Sequence, residues 1–198
     1  MSSTTSSTTV TSTAVMSTTL ATPDGPFTVV ARSGGAVLAS GWTDDVASLV
    51  ALVHPSIRPV DVEQVPDGAA ALAGPVAAVR AYYAGDLAAL RAVDVEQVSG
   101  PFRQSAWDTL RDVDPGAPVT YTEYAQRCGR PAAVRAAAGA CAQNAAALFV
   151  PCHRVLRSDG TLGGFRYGLG VKESLLARER EADPAGTPAA WAGPTVTR

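Results

Sequence analysis

The chain has 198 residues, 46% of them hydrophobic and 17% charged, which suits one domain or two small ones and excludes a disordered polyelectrolyte or a coiled coil. Its net charge of −2 hides an asymmetry: residues 1–99 carry nine carboxylates against four arginines, whereas residues 100–182 carry ten arginines and one lysine against eight carboxylates. The second half is therefore the one suited to an anionic partner.

No run of 18 apolar residues occurs, so no membrane-spanning helix is expected. Three cysteines (Cys128, Cys141, Cys152) without a C-x-x-C pair, beside only two histidines (His54, His153), make neither a disulfide framework nor a four-ligand zinc site. That usage fits a reducing, cytoplasmic compartment and predicts no metal.

Within residues 2–22, 15 are Ser or Thr, with neither a basic region nor an apolar run of the kind a secretory signal needs. Residues 1–22 are read as a disordered tail, with Met16 a second candidate start. Phe27–Trp42 holds two β-branched runs around Ser33-Gly34-Gly35, a hairpin signal. Asp44–Leu52 and Ala69–Tyr83 read as helices, the second stopped at Gly85, and Leu90–Val98 reads as a strand. Together 23–99 form a small α/β unit in which nothing announces chemistry. His54 and Trp42 are read there as packing or surface residues.

A second unit, 100–182, opens at Gly100-Pro101. Phe102, Ala106, Leu110 and Val113 recur at helical spacing, with Trp107 on the neighbouring stripe. Thr120-Tyr121-Thr122-Glu123 has the form of a capping box, and Gly129 closes the short helix it starts. A further helix is expected over Pro131–Cys141, with proline at its first position. Two short helices joined by a glycine turn resemble a helix-turn-helix. The second is almost bare of side chains apart from Arg135, so it can approach another backbone closely. Residues 183–198 are Pro/Gly/Ala-rich and read as a flexible end.

Phe149-Val150-Pro151-Cys152-His153-Arg154-Val155 sets a thiol beside an imidazole, the pair from which a cysteine nucleophile is made. In an extended segment adjacent side chains diverge, so His153 would reach Cys152 only through a water or a bend. Buried packing is the competing reading of such a pair. Cys128 and Cys141 read as packing residues.

PCHRV, preceded by Asn144 and followed by a Gly-rich segment and VKESLLARE, resembles the active-site signature of the methylated-DNA–protein-cysteine methyltransferases, the O6-alkylguanine-DNA alkyltransferases. FRQSAWDTLRDVDPGAPVTYTEYA is similar to that family's F-Q-x-x-V-W…S-Y stretch, and the likeness runs colinearly from Phe102 to Glu179. The resemblance implies an α+β protein: a small N-terminal ribonuclease-H-like α/β domain plus a C-terminal helical, winged helix-turn-helix-like alkyltransferase domain. It implies direct repair of duplex DNA by a monomer without a cofactor. Cys152 matches the residue that keeps the alkyl group, His153 its base acting through a water, and Glu179 the carboxylate that orients the histidine. Tyr121 matches the tyrosine that assists nucleotide rotation and donates to the guanine. Arg135 matches the arginine that replaces the everted base, with Ala136 and Gly139 beside it on the DNA-facing helix. Asn144, Pro151, Val155, Phe165 and Arg166 match the guanine pocket and its braces.

The sequence departs from the family pattern at Ala137-Ala138, at Ala145 where the family has proline, and at Phe165, which lacks a hydroxyl. These departures leave open a protein that recognises alkylated DNA without repairing it; a Cys-His hydrolase is a third reading. If the family role holds, Cys152 is expected as a thiolate in a packed site without spare volume, so that alkylation would destabilise the fold.

Overall fold

A computed structural model describes residues 14–182. Calls on residues 1–13 and 183–198, including the flexible C-terminal end, lie outside it. β1 (Val15–Thr22) and β2 (Gly25–Arg32) form an antiparallel hairpin paired from Val15↔Arg32 to Thr22↔Gly25. β3 (Val37–Gly41) joins β2 antiparallel, and the two-residue β4 (Glu63–Gln64) joins β1 parallel, giving the order β3-β2-β1-β4.

This corrects the reading of 15–22 as part of a disordered tail. Threonine is β-branched and favours extended backbone, and eight residue pairings with β2 order the segment without a long apolar run. Leu20 is buried in the main core, and Ser17 and Thr18 are buried beside it in the chain.

The expected hairpin over 27–42 is present: it turns at Ser33–Gly35, where Arg32 N–H donates to Ala36 O at 2.9 Å. β2 is covered on both faces. Phe27, Val29 and Ala31 enter the main core, while Val30 faces a smaller cluster with Leu38, Leu49 and Val53 under α1 (Val46–Leu52). Asp45 caps α1 by accepting from Ser48 N–H at 3.2 Å. α2 (Ala73–Tyr83) follows a short 3-10 turn at 70–72. The strand expected over Leu90–Val98 is instead a 3-10 turn, Ala89–Ala92, followed by a single bridge of Val95 to Val37. Buried Leu90 anchors the turn, and only one residue of the stretch reaches the sheet edge.

α3 (Pro101–Arg111) buries Ala106, Trp107 and Leu110, as their spacing predicts. β5 (Val119–Thr120) leads into α4 (Tyr121–Arg127), capped by reciprocal Thr120–Glu123 bonds. Gly129 then turns the chain with φ +71°. α5 runs Val134–Ala142, three residues later than expected at its start, because Pro131–Ala133 form a turn closed by Ala133 N–H to Arg130 O. Arg135 therefore stands in the first turn of α5, not its middle. A 3-10 turn, Cys152–Arg154, precedes β6 (Val155–Leu156), which pairs parallel with β5, and α6 (Leu169–Ala182) closes the described chain.

One core serves both halves: Phe27, Leu72 and Tyr82 pack in the same cluster as Trp107, Tyr124, Phe149 and Leu175. Residues 145–147 also add to the edge of β3. Ser40 donates to Ala145 O at 2.9 Å through its N–H and to Ala147 O at 2.8 Å through Oγ. Among the described residues no helix is long and apolar enough to cross a membrane, and no three His, Cys, Asp or Glu side chains cluster as a metal site would require.

Candidate active site

The approach to Cys152 is a tight loop. Val150 N–H donates back to Ala146 O at 2.9 Å, and Leu148 sits at φ +74°, a left-handed conformation unusual for a branched side chain. Asn144, buried beneath the loop, holds it. Its Nδ2 donates to Val150 O at 2.8 Å and to Cys152 Sγ at 3.3 Å, while Oδ1 accepts from Ala146 N–H. Gln97, which sequence reasoning missed, braces from the other side: Nε2 donates to Asn144 Oδ1 at 3.2 Å and Oε1 accepts from Ala145 N–H at 2.8 Å. A proline at 145 could not make that second bond, so the departure at Ala145 is matched by a contact from residue 97.

Cys152 is half-buried at the wall of a cavity of about 380 Å³ shared with Tyr121, Asn144, Phe165, Arg166 and Tyr167. This is within the size range of small-ligand sites, and it corrects the expectation of a packed cysteine with no spare volume: one side of the sulfur's surroundings is open. Ala138 and Cys141 of α5 also line the cavity. Cys141, expected only to pack, thus belongs to the site wall. Pro151 and Val155 lie elsewhere: Pro151 is buried beside Arg154 at a separate cleft, and Val155 is in the core, its carbonyl accepting from Lys172 Nζ at 2.7 Å.

Behind the cysteine stands the relay. The 3-10 turn carries His153 into the interior, where its Nε2 lies 2.8 Å from Glu179 Oε1. A carboxylate only accepts, so Nε2 holds the proton and the lone pair is on Nδ1. Nδ1 is buried and has no hydrogen-bond partner among the described residues. Burial lowers the His153 pKa and the Glu179 carboxylate opposes that shift; the net direction is downward, so the imidazole is neutral at pH 7 and able to accept a proton.

Glu179 serves more than the histidine. Arg154 meets it with two donors, Nε to Oε2 at 3.0 Å and Nη2 to Oε1 at 2.9 Å, and its Nη1 donates to Val113 O at 2.6 Å. Tyr82 of α2 donates to Oε1 at 3.1 Å. Burial alone would raise the carboxyl pKa, but His153 and Arg154 outweigh it and hold it at about 2. Lys172, fully buried in α6, ties β6 to the cavity loop through Val155 O and, at 3.4 Å, Gly163 O. Arg154, Tyr82, Lys172 and Gln97 were all missed as site residues. The sequence signals were that Arg154 lies inside the PCHRV signature and Lys172 inside VKESLLARE.

Burial pushes the Cys152 thiol up, and the Asn144 amide, Lys172 and Arg166 pull it back only in part. With a neutral imidazole behind it, the resting pair is thiol and base, not a preformed ion pair. Alkylation of Cys152 by iodoacetamide should therefore accelerate about tenfold per pH unit between roughly pH 7 and 8.5. A rate already flat at neutral pH would overturn this.

Tyr121, the first residue of α4, is half-buried at the cavity, its phenol pushed up to about 12 by burial and so a hydrogen-bond donor at neutral pH. Arg135 and Ala136 are exposed on α5, Gly139 is partly so, and Arg135 has no carboxylate within ion-pair distance among the described residues. Phe165 packs against Trp42 (5.9 Å between ring centroids) and Tyr167 (5.7 Å), and Arg166 donates to Ala142 O at 2.7 Å.

Residues 101–181 match the family model of the 6-O-methylguanine DNA methyltransferase DNA-binding domain. A methylated-DNA–protein-cysteine methyltransferase of Shigella flexneri is 32% identical over 160 residues, covering 81% of this chain and 92% of that protein. The chain belongs to the methylated-DNA–protein-cysteine methyltransferase family. The Escherichia coli bifunctional transcriptional activator/DNA repair enzyme Ada is 50% identical over 80 residues, and this chain spans 23% of its length. Among solved structures, the Mycobacterium tuberculosis OGT in complex with DNA superposes with a TM-score of 0.70 at 28% identity, covering 89% of this chain and 97% of that one. In this methyltransferase the α+β fold thus brings Cys152, Tyr121, Asn144, Phe165 and Arg166 to one cavity, with His153 and Glu179 behind it.

Proposed function

We propose that this protein repairs duplex DNA by taking an alkyl group from O6 of guanine, with O4-alkylthymine a second candidate substrate, onto Cys152 in one irreversible transfer. The observation that carries this reading is a half-buried thiol at a base-sized cavity, backed by a neutral imidazole whose outer nitrogen is fixed by a carboxylate. As the base enters, Cys152 Sγ attacks the alkyl carbon and the carbon–O6 bond breaks. The thiol proton passes to His153 Nδ1 through a bridging water; the guanine leaves as an anion and takes a proton from water, and the hydroxide so formed is neutralised as the imidazolium gives up its proton, so the net reaction is thiol plus alkylguanine giving thioether plus guanine. Tyr121 donates to the base as negative charge develops on it. A thioether is not hydrolysed, so each molecule acts once and needs no cofactor.

On this reading α4 and α5, with the β5–β6 pair, are a winged helix-turn-helix, and α5 lies against the DNA. Ala136 and Gly139 let its backbone approach while Arg135 fills the space of the everted base. The preceding unit, through residue 99, is ribonuclease-H-like, and the 100–182 unit carries the chemistry. The protein acts as a monomer in the cytoplasm, where thiols stay reduced.

Incubation with a duplex containing O6-methylguanine, followed by intact-mass and peptide analysis, tests the proposal. The protein should gain one CH2, on Cys152, at a stoichiometry of one. DNA binding without a mass gain would leave a recognition protein instead, and repeated turnover of an ester would leave a hydrolase. In the same assay Arg135→Ala should slow transfer from duplex roughly ten- to a hundredfold, since extrusion costs a few kcal/mol. Transfer from the free alkylated base should change little. Equal losses on both substrates would reduce Arg135 to a structural residue.

A further inference from the structure

A second cavity, of about 280 Å³, opens where the two halves meet, and Arg166 lines both it and the cavity of Cys152. Its wall carries three guanidinium groups from three separate segments: Arg58 after α1, Arg103 in the first turn of α3, and Arg166 before α6. Each is held by neutral acceptors alone. Arg58 donates to Val53 O and Ala51 O, both at 3.0 Å, Arg103 to Ser99 Oγ at 2.7 Å, and Arg166 to Ala142 O at 2.7 Å. No carboxylate lies within ion-pair distance of any of the three among the described residues. The one acidic side chain in the wall, Glu96, is already engaged by Arg32 Nε at 2.5 Å and Nη2 at 2.9 Å.

Like charges gathered around one hollow repel, and among the described residues no ion pair offsets them there. The carbonyl and hydroxyl acceptors orient the guanidinium groups while leaving other N–H donors unused, an arrangement suited to a tetrahedral oxyanion. The rest of the wall is largely apolar, with Leu38, Val53, Ile57 and Trp107 among its side chains, so the arginines are its chief polar groups.

We propose that this cavity seats a backbone phosphate of the DNA strand whose nucleotide enters the neighbouring cavity, extending the DNA contact from α5 onto the first half of the chain. The inference rests on the repair reading, since that reading supplies the polyanion, and Arg166 makes the two cavities neighbours.

The test is the salt dependence of duplex binding by the full chain and by Arg58→Ala/Arg103→Ala. One phosphate contact adds about 0.9 to the slope of log affinity against log salt. The double variant should lose about one unit of slope and bind roughly tenfold more weakly at low salt, with an unchanged melting temperature and unchanged transfer from a free O6-alkylguanine base. Arg58→Lys/Arg103→Lys should restore most of the slope, which a packing role would not predict. An unaltered slope in the Ala variant overturns the proposal. So does saturable binding of inorganic phosphate that depends on the two arginines while duplex binding does not, because the site would then serve a free anion. If the parent chain neither binds duplex nor gains mass from O6-methylguanine, the repair reading itself fails; if it does both and the slope is unmoved, only the phosphate seat falls.

Discussion

Glu179→Gln is expected to lower the melting temperature by roughly 10 °C and to slow alkyl transfer by roughly a hundredfold or more. The first effect follows from Arg154, only 5% exposed, whose charge would keep a neutral partner in place of a carboxylate. Breaking a buried ion pair on one side costs about 3–5 kcal/mol, and a chain of this size loses about 2–4 °C per kcal/mol. The second follows from the imidazolium that forms as His153 takes the thiol proton, which a carboxylate stabilises and an amide does not.

The same group dictates an acid profile. Its pKa of about 2 in the fold lies below the ordinary 4.5, so it contributes stability that is complete above about pH 4.5 and is lost as pH falls towards 2. The gap corresponds to roughly 3 kcal/mol. His153, also depressed in the fold, adds a loss that begins as pH falls below its ordinary value near 6.5. Thermal melts from pH 7 to 3, with single-turnover transfer at pH 7.5, read both. A variant that keeps the wild-type acid profile would mean that Glu179 does not carry the relay.

Gly41→Ala should slow transfer and cost about 1–3 kcal/mol, the range for overpacking a filled site. A methyl group on Gly41 would overlap the ring and hydroxyl of Tyr167. That ring cannot simply swing aside. Trp42 and Phe165 lie edge-on to it at 5.5 and 5.7 Å, and its hydroxyl donates to Ser40 O at 3.2 Å. Because Tyr167 lines the cavity of Cys152, its displacement changes the space offered to a base. Gly41→Ala made in a Tyr167→Ala background should cost little, a coupling that denaturant melts of the four proteins measure. Additive losses would show that the two residues do not compete for one volume. Tyr167→Phe should lose only the bond to Ser40, about 1 kcal/mol.

How much of this was legible depended on the reach of each interaction. The capping box at Thr120 and the buried stripe of α3 are local, and both stand where the residue pattern put them. β1 was misread because its alternation is written in Ser and Thr, whose ordering comes from pairing with β2 and not from their own hydropathy. The start of α5 slipped because proline at a first helical position and proline in the turn before a helix look alike in one sequence. Cys152, His153, Glu179, Tyr121 and Asn144 were reached through the colinear family resemblance that runs from Phe102 to Glu179. Tyr82 and Gln97 were not, because their partners lie 97 and 47 residues away, beyond anything a local pattern encodes. The protonation state of the cysteine lies beyond such patterns for a related reason: a Cys-His dipeptide states which groups are adjacent, not how much water each has lost.

The hydroxyl of Tyr82 gives the first half of the chain a hand in chemistry that every local motif assigns to the second. A fragment trimmed to the matched segment, 101–181, would retain the nucleophile, its base and the acid behind them. It would lose one of the donors that fix that acid, and it would lay bare part of the core that Trp107 and Phe149 share with Phe27, Leu72 and Tyr82. The leading half thus stands behind the reaction chamber and not around it: its hold on the sulfur runs through Tyr82 and Glu179 to His153, and through Gln97 to Asn144.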